Sequence, residues 1–132
     1  MAYKIIKQHK EAKGYPLSIA WEQMINTTAI INADFFLVHS FDDIPIAAAI
    51  YLYSANSIAQ LIYWGDVLNF HHLRTMNFLS YKIFEYYKSK DFNIVDLGPS
   101  TLNSIPNSGL CDFKESIGCN ISTKISFSFN LD

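Results

Sequence analysis

A chain of 132 residues, half of them hydrophobic and 15% aromatic, is long enough for one real core and too apolar to be a disordered or solvating segment. Its formal net charge of -2 gives no electrostatic footprint for a nucleic acid or a membrane surface, and no apolar run approaches the roughly 18 residues of a membrane span. The N-terminus lacks the apolar core and cleavage site of a secretory signal, so the expectation is a soluble, cytoplasmic protein forming a single domain over residues 1–132. Cys111 and Cys119 are too few for a disulfide framework and have no metal-ligand spacing.

In chain order, residues 3–13 are expected to form a basic helix ended by Gly14 and Pro16. Its Lys4, Lys7, Lys10 and Lys13 read as a solvated face in preference to a phosphate or RNA contact, because no aromatic residues interleave with them. A second helix is expected after Ser18 as N-cap, with Leu17, Trp21, Met24, Thr28 and Ile31 as a buried stripe. Three strands follow, at 35–41, 45–53 and 58–64, joined by short polar turns as an antiparallel meander. The clearest helix begins near Asn69-Phe70-His71-His72 and carries Leu73, Met76, Leu79, Ile83, Phe84 and Tyr87 on one face. Residues 93–98 read as a buried strand, which makes a strand-helix-strand crossover and a parallel pair. A short helix at 109–117 and a last strand at 123–129, alternating Ile125, Phe127 and Phe129, complete a mixed α/β sheet covered by helices.

The order of elements resembles the GNAT-type N-acetyltransferase fold. The tail adds Asp96-Leu97-Gly98-Pro99-Ser100, then Gly109-Leu110, then Phe113-Lys114-Glu115-Ser116-Ile117-Gly118, and this segment resembles the closing part of Fem-like and related GNAT-like transferases. The similarity covers roughly the last 65 residues, the meander more loosely, and corresponds to a single C-terminal module of those longer proteins. The resemblance implies an acyl-CoA N-acyltransferase: acetyl-CoA or another acyl-CoA as co-substrate, no metal, and a small-molecule or peptide amine as acceptor. It implies no membrane partner, and a nucleic acid (aminoacyl-tRNA) only under the Fem-like alternative. A non-catalytic binding module with the same fold is the reading from another class, and the abundant aromatics leave room for a homodimer.

In such a fold, the end of the third strand at Tyr63, Trp64 and Gly65 would meet the acyl group and coenzyme. Asn69 and His71, at the start of the long helix, would meet the phosphates. The glycine-rich phosphate loop of that fold is absent; Gly65 is the only glycine there, and Asp66 has the wrong charge for a pyrophosphate neighbour. Asp96 is a candidate proton acceptor or a cap for the following loop. Ser100 is a candidate hydrogen-bonding group, with turn chemistry as its other role. Lys114 is a candidate for neutralising charge, or a structural lysine paired with a carboxylate such as Asp112. His71 and His72 point about 100° apart on a helix and cannot share a metal. Tyr87 lies on the apolar face and reads as core. Neither cysteine has an activated setting, so transfer would be direct.

Overall fold

The computed structural model describes residues 1–131 in two compact units, Met1–Pro99 and the part from Ser100 onward. In the first unit, α1 (Ala2–Ala12) and α2 (Trp21–Thr28) precede three strands, β1 (Ala33–His39), β2 (Pro45–Ala55) and β3 (Ile58–Asp66). A 3-10 turn (Leu68–Leu73), helix α3 (Thr75–Ser89) and strand β4 (Ile94–Asp96) follow. The sheet order is β1-β2-β3-β4, antiparallel between the first three strands and parallel between β3 and β4. This is the expected mixed α/β architecture, a meander feeding a strand-helix-strand pair.

Strand β2 is central, and Ile46 to Tyr51 are buried without interruption because both faces of the sheet are covered. One face carries α1: Ala2, Ile5 and Ile6 pack with Met24, Ala48 and Ile50. On the other face, α3 presents Leu79, Ile83 and Tyr87, and the Tyr87 ring packs against Phe36, Tyr51 and Phe92 at centroid distances of 5.8, 5.4 and 4.9 Å. Tyr87 is therefore core, and burial drives its hydroxyl far above the ordinary phenol range, followed by the Asp34 charge. Alternation of β2 explains the division, since Ala48 and Ile50 point one way while Ala47, Ala49 and Tyr51 point the other.

Helix α1 is thus an amphipathic core helix as well as a basic one, ended where Gly14 takes a φ of +75°. The second helix differs from expectation. It starts after Ala20, whose N–H donates to Gln23 Oε1 at 2.9 Å, while the Ser18 hydroxyl lies 2.6 Å from the Tyr63 hydroxyl. Of its expected stripe only Met24 is buried, in the cluster with Ile5 and Ile6, while Leu17 packs partly buried against that cluster and Trp21 and Ile31 are exposed. The long helix also begins later than expected. Residues 68–73 wind as a 3-10 turn, Arg74 takes a left-handed φ of 49° that breaks it, and α3 starts at Thr75.

The second unit opens with a hairpin, β5 (Thr101–Leu102) and β6 (Ile105–Pro106), turned by Asn103 and Ser104 with φ of 49° and 63°. Helix α4 (Ser108–Ser116) follows, capped by the Asn107 side chain, which accepts from Leu110 N–H at 3.0 Å. The expected last strand at 123–129 is absent: those residues have no regular secondary structure, and Ile125, Phe127 and Phe129 are 72%, 88% and 83% exposed. Alternation only makes a strand where a neighbouring edge supplies backbone partners, and among the described residues no strand pairs with this segment.

Candidate functional site

Strands β3 and β4 pair only over Ile58–Ile94, Ala59–Val95 and Gln60–Asp96. Beyond Gln60 the two separate, and among the described residues no strand pairs with Leu61–Asp66 on that side. The cause is local. Asp96 Oδ1 accepts the Gly98 N–H at 2.7 Å, Gly98 adopts a φ of +68°, and Pro99 has no N–H to continue a ladder. An Asx turn therefore ends the ladder after Asp96, at a point where a Cβ on Gly98 would still lie 3.7 Å from the Leu61 carbonyl oxygen. On the other side of the opening, β3 holds one extra residue, Ile62, because Ile50 pairs with Tyr63 and Tyr51 with Leu61. A bulge at this point adds twist and re-aims the backbone of the strand's second half.

The second half of β3 ends in a carboxylate with an unusual set of partners. Asp66 is buried, at 6% exposure. The His71 Nε2 lies 3.2 Å from both of its carboxylate oxygens, the Thr75 hydroxyl donates to Oδ2 at 3.2 Å, and His9 Nδ1 is 3.2 Å from Oδ1. His9 Nδ1 also lies 2.8 Å from the Asp66 carbonyl and 3.1 Å from its N–H. Two acceptors, one of them charged, outweigh one donor at this nitrogen, so Nδ1 is assigned as the donor. Burial by itself would raise the Asp66 carboxyl. The His9 hydrogen bond, the charges of His71 and His9, and the Thr75 hydroxyl together outweigh it and hold the group below its ordinary value of 3.8.

His9 reaches Asp66 because Gly65 has no side chain: a Cβ there would lie 2.7 Å from His9 Cβ and Cγ. The cluster borders a cleft of about 170 Å³ lined by Gln8, His9, Ala12, Asp66, Val67, Leu68 and Asn69. That volume suits a small polar group and is well below the 300 Å³ or so of a complete small-molecule pocket (roughly, for a drug-sized ligand).

The expected cofactor residues are thus distributed along one path. Tyr63, Trp64 and Gly65 occupy the separated half of β3, with Tyr63 packed toward α1 and bonded to Ser18. Asn69 is exposed on the 3-10 turn at the cleft, and His71 is drawn to Asp66. Of the expected catalytic residues, Asp96 is in the first unit and acts in the Asx turn. In the second unit, the Ser100 carbonyl accepts the Asn107 N–H at 2.8 Å, and Lys114 is buried on α4 at 8% exposure. Cys111 and Cys119 are both free thiols, and burial pushes the Cys119 thiol up, away from a reactive thiolate. Among the described residues, no group of His, Cys, Asp and Glu is arranged to hold a metal, and no helix is long and apolar enough to cross a membrane. Sequence reading missed His9 as a partner of Asp66; no local signal links positions 57 apart in the chain.

No family model and no curated protein matches this sequence. Solved structures do. An aminoglycoside acetyltransferase from an uncultured soil metagenomic sample, in complex with trehalose, superposes with a TM-score of 0.68 at 14% identity, covering 98% of this chain and 88% of that one. The same enzyme with sisomicin gives 0.68 at 14% identity over 99% and 86% of the two chains. The apo aminoglycoside antibiotic 6'-N-acetyltransferase of Acinetobacter haemolyticus gives 0.67 at 14% identity over 99% and 94%. The class of fold is thereby defined: a mixed sheet whose antiparallel meander leads into a diverging parallel pair, as in acetyltransferases. This chain has the GNAT-like acyltransferase fold.

Proposed function

We propose that this protein is an N-acyltransferase that moves an acetyl or other acyl group from acyl-CoA to an amine by direct attack. The observation that carries the reading is the divergence of β3 and β4 after Gln60, opposite a bulge at Ile62. Such an opening offers β3 backbone groups to a thioester carbonyl in place of water, which is how a preorganised site stabilises a developing oxyanion. The neutral amine would attack the carbonyl carbon, the carbon–sulfur bond would break, and coenzyme A would leave as the thiol after taking up a proton. Tyr63, Trp64 and Gly65 would flank the acyl arm, and Asn69 and His71 would meet the phosphates.

Asp96, whose Oδ1 accepts the Gly98 N–H in its turn, is the proposed proton acceptor. Ser100 and Lys114 carry the remaining proposed roles, a hydrogen bond and a positive charge respectively, each to be tested singly. A cytoplasmic single-domain protein over residues 1–132 belongs to the same proposal, supported by neighbours that cover 98–99% of the chain. For the acceptor, the sisomicin complex of a structural neighbour supports a small-molecule amine over a peptide. A homodimer, for which the abundant aromatics leave room, and a Fem-like kinship, suggested by the Asp-Leu-Gly and Phe-Lys segments, belong to the same proposal.

A thermal-shift titration with acetyl-CoA and free CoA tests it. At a hundredfold excess over its dissociation constant a ligand adds about 2.7 kcal/mol, a rise of several degrees. A shift reduced by Asn69→Asp supports the reading. No shift at millimolar coenzyme leaves the binding module or an aminoacyl-tRNA donor.

A further inference from the structure

Strand β1 forms one edge of the main sheet, and among the described residues no strand pairs with its outer side. The direction of its peptide groups is fixed at both ends. The Asn32 carbonyl accepts the Tyr53 N–H at 2.9 Å, and the Ser40 N–H donates to the Ile44 carbonyl at 2.8 Å, so both flanking residues turn toward β2. Peptide groups alternate along a strand. Asp34, Phe36 and Val38 therefore also turn toward β2, while Ala33, Phe35, Leu37 and His39 direct their N–H and C=O groups outward. The register shift between Val38 and His39 leaves this alternation intact, because the extra residue, Ile46, is on β2. Natural edges are blunted by lysine, proline or a bulge of their own, and β1 has none of these. Its Phe35 is 44% exposed, and two more apolar side chains lie open just beyond its ends, Ile31 at 40% and Phe41 at 106%.

We infer that the outer edge of β1 pairs antiparallel with β1 of a second copy of this chain, about a two-fold axis at Phe36, joining the two sheets edge to edge. Self-complementarity selects both the occupant and the register. About that axis Ala33 faces His39 and Phe35 faces Leu37, each pair twice by symmetry, so every outward N–H and C=O of the strand gains a partner. The same register places Phe41 of each copy beside Ile31 of the other, and it sets Asp34 opposite Val38, so no like charges meet. An unrelated extended peptide would satisfy the main-chain groups but would not bring the matching Ile31 and Phe41. The inference rests on the homodimer in the reading above, to which it gives a surface, and not on the acyl-CoA chemistry.

The test is sedimentation velocity of the chain from low micromolar to near-millimolar concentration, with amide hydrogen exchange followed by NMR at both ends of the range. A dimer is expected at the upper end. Its formation is expected to slow exchange at Ala33, Phe35, Leu37 and His39 by about tenfold or more, while Asp34, Phe36 and Val38, already turned to β2, change little. Phe35→Pro removes an outward N–H and leaves the β2 ladder its bonds; Phe41→Glu sets a charge beside Ile31. Each is expected to raise the dimer dissociation constant about tenfold or more. Phe41 is fully exposed, so its variant keeps the fold even if the proline does not, and circular dichroism checks both. A monomer throughout the range overturns the inference. So does a dimer in which the outward amides exchange as fast as in the monomer, or one that either folded variant leaves as tight as wild type. None of these outcomes touches the acyl-CoA reading, which the coenzyme titration decides separately.

Discussion

Replacing Asp66 by asparagine keeps the shape of the side chain but removes the charge that three donors share. Hydrogen bonds to charged groups are worth more than neutral ones, and a buried donor left without its acceptor costs about 1–3 kcal/mol. Asp66→Asn is expected to lose stability of that order at neutral pH, read from urea unfolding. Because the carboxyl is held below its ordinary value of 3.8, its contribution is complete above that pH and is lost as the pH falls through the lower folded value. The stability gap between wild type and Asp66→Asn should therefore close in acid, below the ordinary carboxylate range. A constant gap from neutral pH to strong acid would show that the charge is not what stabilises the cluster. Gly98 makes a second case at this scale. Its φ of +68° within the Asx turn is strained for any other residue, so Gly98→Ala is expected to cost about 1 kcal/mol and lower the melting temperature by several degrees.

Between elements, the contact of α1 with β3 depends on the absence of a side chain. A methyl group at position 65 would sit 2.7 Å from His9, so Gly65→Ala is expected to destabilise by about 1–3 kcal/mol through overpacking. Truncating the neighbour as well should relieve much of that: the His9→Ala/Gly65→Ala pair is predicted to be less destabilised than the sum of the single changes, in a double-mutant cycle. Additive losses would place the strain elsewhere. The separation of β3 from β4 belongs to the same scale. It comes from two local devices on adjacent strands, the extra residue Ile62 and the Asp96–Gly98 turn. Only one of them is legible in the sequence: the Asp-x-Gly spacing reads as a turn, whereas a single bulged residue inside an apolar strand leaves no compositional trace.

For the molecule as a whole, the two faces of the sheet divide the core into an aliphatic layer under α1 and an aromatic layer under α3. Among the described residues, the chain beyond α4 contributes exposed apolar side chains and no strand. Changing Ile125, Phe127 and Phe129 together to serine is therefore expected to shift stability by no more than about 0.5 kcal/mol, the usual range for exposed positions. A loss several times larger in chemical denaturation would mean that this alternating segment is paired in solution.

What the amino-acid order determined alone was the succession of elements, because strand alternation, helical spacing and turn residues are local properties of a covalent neighbourhood. The meander, the long amphipathic helix with Leu79, Ile83 and Tyr87, and the parallel pair after it were all legible in this way. Helix starts were less so, since the start of α3 depends on Arg74 taking a left-handed conformation that its residue type does not announce. The tertiary structure alone decided that 123–129 has no strand partner, and that His9, Asp66 and Thr75 meet. Both outcomes are set by which distant backbone edges and side chains come within hydrogen-bonding distance, and that is a property of the closed fold and not of any short stretch of chain.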